Sequence, residues 1–179
     1  KAARFQKIDP LESSPIDFMC SSETSKCQIF TGRVYNDVSV SNSSKELKEL
    51  LAVAGIRSIN NIVDLGNYIM LLTGQPLNMY DADKLPKNEL IVRDDFEGDF
   101  VAMDGNTYRL EKGDLVVTSD GQPMCLAGIM TADACRVSDT TKNIVVEAAY
   151  FDYASIRRTS NRLGLFSDSS SRFCKGVNP

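Results

Sequence analysis

The chain has 179 residues, 42% of them hydrophobic and 25% charged, enough for one domain that buries roughly 70% of its unfolded surface, which excludes collagen-like, disulfide-scaffold and disordered classes. Twenty Lys and Arg against 24 Asp and Glu give a net charge of −4, so bulk attraction to a phosphate backbone is not expected. Histidine is absent, which excludes a Ser-His-Asp triad, a Cys-His pair and a His-ligated zinc site within the chain.

Taken in order, Glu12 to Lys26 is Ser-rich and reads as an exposed loop, and Gln28 to Val40 reads as one or two strands. A helix follows: Ser43 is placed as N-cap with Glu46 three residues on, Leu47, Leu50, Leu51 and Ala54 form a stripe, and Gly55 suits a left-handed end. The spacing predicts a second helix over Asn61 to Leu72, with Ile62, Leu65, Ile69 and Leu72 on one face and Gly74 as its stop. On another face Asp64, Gly66 and Asn67 are polar or small. Gly66 reads either as a point of close helix packing or as room for a ligand beside Asn67.

Leu90 to Met130 reads as β structure, with Asp104-Gly105 and Asp120-Gly121 as hairpin turns and Lys112-Gly113-Asp114 as a further turn. Asn143 to Ala149 adds a strand with Glu147 embedded among Val145, Val146, Ala148 and Ala149. That carboxylate lies either on the solvent face of a half-buried strand or in a pocket. In a pocket it can accept a hydrogen bond from a hydroxyl-bearing ligand, which discriminates strongly against analogues lacking the hydroxyl. Asp152 caps a helix over Tyr153 to Leu163, closed by Gly164, and Ser167 to Ser171 open a short segment toward Phe173. Helices early and late around a central run of strands give an α+β class.

Charge is unevenly spread. From Phe151 to Pro179 five basic residues face two acidic ones, a net of +3 that leaves −7 for the remainder. This basic tail reads either as a polyanion contact or as a solvated helix face. Cys20, Cys27, Cys125, Cys135 and Cys174 form no C-x-x-C pair and leave an odd thiol, which points to a reducing, cytoplasmic setting without a metal site. No apolar run approaches the ~18 residues of a membrane span, so no membrane partner is expected. Neither end closes on a structural element, and the chain reads as a fragment of something longer. P-loop, G-x-G-x-x-G, G-x-S-x-G and H-E-x-x-H motifs are absent.

Several runs, taken together, carry a resemblance. Gly55 to Tyr68 and Gly74-Gln75-Pro76-Leu77 resemble the signature NNVVDxTNYVMLExGQPLHxFD of the phenylalanyl-tRNA synthetase β subunit family. Leu126 to Met130, Glu147 to Asp152, Ser155 to Thr159 and Ser167 to Phe173 follow in the family's order. The likeness runs from about Cys27 to Pro179 and identifies the B3/B4 editing module.

The resemblance implies a three-layer α+β arrangement around a β-sandwich of unusual topology with flanking helices. It implies one compact unit over 27–179, with 1–26 as a loop/strand region continuous with it. It also implies a parent enzyme that charges tRNA(Phe) with phenylalanine using ATP and Mg. The module itself, without a cofactor, hydrolyses tyrosine wrongly attached to that tRNA. The implied partners are the α subunit, the remaining β-subunit domains and tRNA(Phe). Glu147 would recognise the tyrosyl hydroxyl, with Thr131, Ser167 and Ser169 also contacting substrate, while Asn67 and Asn78 would orient ester and water. Arg157, Arg158, Arg162 and Arg172 are the candidates for RNA contact.

The pattern's His is Asn78 here, its Gly-Gly after AGIM is Thr131-Ala132, the Thr and Ala of its TDAS turn are Ser167 and Ser169, and the Thr before Asn67 is Gly66. Two readings follow: a proofreading deacylase, or an editing-deficient structural and tRNA-docking module of the synthetase.

Overall fold

The computed structural model of the chain describes residues 17–177. It opens with strands β1 (Met19–Ser22) and β2 (Cys27–Tyr35). The expected exposed loop is therefore corrected: its first part, 12–16, lies outside the described residues, and its centre is β1. The serines there make a turn, in which Ser22 Oγ donates to the Thr24 carbonyl at 2.9 Å and Thr24 Oγ1 accepts from Lys26 N at 3.2 Å.

Helix α1 (Lys45–Val53) is capped by Ser44, one residue later than expected, whose hydroxyl accepts from Leu47 N at 3.2 Å. Ser43 turns inward and donates to Asp64 Oδ2 at 2.5 Å. Helix α2 (Asn61–Thr73) is capped by Asn60 and stops at Gly74, with φ +82°. Its buried face is not the expected apolar one: Asp64, Gly66 and Met70 are inside, while Leu65 and Leu72 are exposed. The reason is polar satisfaction. Asp64 also accepts from Ser58 Oγ at 2.5 Å and Ile59 N at 2.9 Å, and a carboxylate with three donors can be buried. Gly66 serves close packing, because a Cβ there would stand 2.3 Å from Met79 Cε.

The strands then follow as β3 (Leu77–Asp81), β4 (Glu89–Arg93), β5 (Gly98–Val101), β6 (Thr107–Leu110), β7 (Val116–Ser119), β8 (Gln122–Leu126), β9 (Met130–Thr131) and β10 (Ile144–Phe151). Asp120 and Gly121, at φ +48° and +74°, make the two-residue β7–β8 turn that the Asp-Gly pair predicts. Helices α3 (Tyr153–Leu163) and α4 (Asp168–Phe173) close the described chain, with Asp152 and Ser167 as N-caps.

The strands form a five-stranded sheet in the order β1-β4-β7-β8-β9, a three-stranded sheet β2-β10-β3 and the hairpin β5-β6. One apolar core joins the two larger sheets. Val92, Val116, Val117 and Leu126 come from the first, Tyr80, Val145, Ala149 and Phe151 from the second, with Ile156 of α3 and Phe173 of α4. The class is α+β, as expected. Asp114, between β6 and β7, fastens α3 by accepting from Thr159 Oγ1 at 2.7 Å and pairing with Arg162. Phe173 of α4 packs on Phe151 at the end of β10, their ring centroids 5.2 Å apart.

Candidate functional site

Strand β10 alternates, and Val145, Glu147, Ala149 and Phe151 share its core-facing side. Glu147 is 3% exposed, so the solvent-face alternative fails. In register, Glu147 stands opposite Asn78 on β3 and Gly32 on β2. The missing side chain at Gly32 admits Cys20, whose Sγ lies 2.4 Å from where a Cβ would sit. Tyr80, two residues beyond Asn78 on the same face of β3, donates its hydroxyl to Glu147 Oε2. Among the described residues Oε1 accepts no such bond.

Burial pushes the Glu147 carboxyl up to about 7, against the pull of the Tyr80 hydroxyl and, more weakly, of the nearby Asn78 amide. The surrounding thiols are pushed the same way, first by burial and then by the Glu147 charge: Cys20 to about 11, Cys27 to about 12, and Cys125 well above the ordinary thiol range. None is a nucleophile near neutral pH.

In front of Glu147 lies a cleft of about 290 Å³. Its lining includes Asn67 of α2, Asn78 of β3, Thr131 of β9, and Ser167 and Ser169 at the start of α4. Six positions scattered over about a hundred residues of sequence therefore converge on one volume. They are not equally available. Thr131 Oγ1 donates to Asn78 Oδ1 at 2.7 Å, and Asn78 Nδ2 reaches Cys125 Sγ at 3.4 Å. This tie crosses from the five-stranded sheet to the three-stranded one and fixes the amide. Ser167 accepts from Ser170 N at 3.1 Å and donates to the Ile129 carbonyl at 3.0 Å, so its hydroxyl is engaged in capping α4. The side chains of Asn67 and Ser169, both half-buried in the lining, have no hydrogen-bond partner among the described residues.

Gly128 shapes the wall. Its φ is +67°, and a Cβ there would stand 2.7 Å from the Phe173 ring, so a side chain would displace the aromatic that closes this end. The four arginines stand apart from the cleft lining. Arg158 donates to the Gly113 carbonyl at 2.9 Å, and Arg162 pairs with Asp114 and, at 3.5 Å, with Glu111. Arg172 has its Nε buried without a partner among the described residues. Of these four, only Arg157 is both exposed and uncommitted among the described residues. Among the described residues no group of three His, Cys, Asp or Glu side chains is placed to hold a metal ion, and no helix is long and apolar enough to cross a membrane.

Two contributors escape a reading of the sequence alone. Cys125 comes to the cleft through the pairing of β8 with β7 and with β9, where it stands opposite Thr131. Tyr80 has a visible signal: it occupies the place of Phe in the pattern GQPLHxFD, and the added hydroxyl is the atom that meets Glu147.

The B3/4 domain family matches residues 26–179. The phenylalanine–tRNA ligase beta subunit of Streptococcus thermophilus is 45% identical over 157 residues, 87% of this chain and 20% of that protein. The same subunit from Streptococcus pneumoniae is 39% identical over 182 residues, 99% of this chain and 23% of that protein. The chain thus spans about a fifth of the length of these relatives. Among solved structures, an N-terminal fragment of the phenylalanyl-tRNA synthetase beta subunit from Pyrococcus horikoshii aligns with a TM-score of 0.53 at 12% identity. The alignment covers 74% of this chain and 42% of that one, a likeness of fold. The chain belongs to the B3/4 domain family.

Proposed function

We propose that this B3/4 domain hydrolyses the ester between tyrosine and tRNA(Phe), as the proofreading part of a phenylalanine–tRNA ligase β subunit. The observation that carries the reading is the placement of Glu147 at the cleft, on the core-facing side of β10, with one carboxylate oxygen held by Tyr80 and the other without a partner among the described residues. A hydrogen bond to a charged acceptor is worth ~1.5–3 kcal/mol, and a buried acceptor left unpaired disfavours a ligand without the hydroxyl. Phenylalanine lacks that donor and tyrosine has it. The volume suits the task as well: ligand clefts span ~300–1,000 Å³, and about 290 Å³ suits one aromatic amino acid and not the nucleoside that carries it.

With Glu147 holding the phenol, Asn67 and Ser169 are the uncommitted polar side chains available to the ester, and Asn78 offers its amide in a fixed orientation. Water attacks the carbonyl carbon, the bond to the ribose oxygen breaks, and that oxygen takes a proton as tyrosine leaves. The chain has no histidine to carry the proton. General acid–base help is worth ~10²–10⁴-fold, so the reaction relies on orientation and on the neighbouring ribose hydroxyl, within the ~7–11 kcal/mol that positioning can supply. ATP and Mg serve the charging reaction of the parent enzyme, where the α subunit and the other β-subunit domains are the partners and tRNA(Phe) is shared.

Incubation of tyrosyl-tRNA(Phe) with this chain and with the whole synthetase tests the reading. Tyrosine release above the uncatalysed rate, lost in Glu147→Ala, is expected. Release by the intact enzyme at the uncatalysed rate would leave the domain a structural and tRNA-docking module.

A further inference from the structure

We propose that Tyr80 is a positioning residue: its buried hydroxyl holds Glu147 Oε2, turns Oε1 toward the cleft, and sets the pH above which the site selects a hydroxyl-bearing aromatic. This rests on the reading of Glu147 as the group that receives the ligand's phenol.

The geometry is specific. Tyr80 is fully buried and neutral, its hydroxyl pushed well above the ordinary range by burial, with the neighbouring Cys125 and Glu147 acting in the same direction. It is therefore a permanent donor to Oε2. When Glu147 takes up a proton, Oε2 is already an acceptor, so the proton resides on Oε1. The cleft then meets an acid O–H in place of a bare carboxylate oxygen. A phenol then meets a neutral acid O–H to which it can only act as acceptor, a bond roughly half as strong as the one it donates to a carboxylate. Selection for the hydroxyl thus strengthens as Glu147 ionises, and Tyr80 favours the ionised form.

The groups that face Glu147 from the packed elements are Tyr80 of β3, Cys20 of β1, Cys27 of β2 and Cys125 of β8. The three thiols are all held protonated near neutral pH. Among the described residues no Lys or Arg pairs with the carboxylate. Tyr80 is thus the one titratable neighbour that donates to it, and neither the apolar stripe nor the motif runs account for its hydroxyl.

The test compares the full chain with Tyr80→Phe, which keeps the ring and removes the oxygen. Carbon-13 NMR of labelled Glu side chains reads the titration of Glu147. Calorimetry from pH 5.5 to 8.5 with N-acetyl-L-tyrosinamide and N-acetyl-L-phenylalaninamide reads the preference for the hydroxyl. The expected results are a Glu147 midpoint raised by about one pH unit, tenfold in proton affinity, and a preference at pH 7 reduced several-fold and regained at higher pH. A midpoint or a preference unchanged from the parent chain overturns the proposal. Both results are read without ester hydrolysis, so a domain that hydrolyses nothing still decides the role of Tyr80. Should Tyr80→Phe not fold, the parent chain carries the test: a slowly exchanging Tyr80 hydroxyl proton must shift as Glu147 titrates, and one indifferent to that titration overturns the assignment.

Discussion

Replacing Glu147 by Gln removes the titration and keeps the shape and an acceptor for Tyr80. In the folded chain burial pushes this carboxyl up to about 7 from an ordinary 4.5. For a group whose folded value is raised, the folded state holds the extra proton. Glu147 therefore costs nothing below pH 4.5, and stability falls as pH rises toward 7, where the loss levels off. A rise of that size corresponds to ~3 kcal/mol, and most of it develops between pH 5 and pH 8. Urea melts of the parent chain and of Glu147→Gln at both pH values measure this directly. Every other titrating group is common to the two proteins and cancels in the double difference. The variant is expected to gain ~2–3 kcal/mol relative to the parent on going from pH 5 to pH 8. An equal pH dependence in both proteins would refute the claim that Glu147 is buried without a positive partner.

Four further outcomes are expected from the same structure. Gly128→Ala adds a Cβ at φ +67° and 2.7 Å from the Phe173 ring; the left-handed strain and the displaced aromatic together cost ~3 kcal/mol, read as a lowered urea midpoint. Arg162→Ala strips buried Asp114 of its ion pair, and with the arginine side chain 30% exposed the loss is ~2 kcal/mol. Arg157→Ala stays within ~0.5 kcal/mol in the same melts, but lowers the salt slope of tRNA binding by about one if that arginine meets a phosphate. Thr131→Val keeps the volume but removes the donor to Asn78 Oδ1, so tyrosyl ester hydrolysis slows about fivefold, the worth of one hydrogen bond, while the melting temperature barely moves.

What is legible in the sequence is mostly local. Asp152 and Gly164 define α3 from end to end, because cap and stop lie within one short window. The Asp-Gly pairs mark two hairpins for the same reason, since a positive φ is a property of the residue itself. Glu147 is conspicuous because a period of two places it with its apolar neighbours, although its two possible faces need the pairing partners to decide between them.

The less legible features depend on long-range pairing. The inward face of α2 departs from its apolar spacing because Asp64 is made buriable by Ser43 and Ser58, which no helical period can supply. The role of the basic tail is equally hidden. Arg162 meets Asp114 across 48 positions of chain, so a charge that reads as surface is in part a clasp between α3 and the turn after β6. Resemblance to the synthetase family, resting on motif runs alone, gathers the cleft residues into one set. It does not show that Thr131 and Ser167 spend their hydroxyls on Asn78 and Ile129, nor that Tyr80 holds one oxygen of Glu147.

The central claim is that Glu147 selects an aromatic amino acid by its hydroxyl. The measurement that tests it most directly is the ratio of tyrosyl to phenylalanyl release from tRNA(Phe) at pH 8 by the whole synthetase carrying this domain, with Glu147 intact and as Glu147→Gln. The account predicts a strong preference for the tyrosyl ester that collapses in the variant, chiefly through slower tyrosyl hydrolysis. A preference that survives Glu147→Gln, or two esters released at equal rates by the parent enzyme, would contradict it.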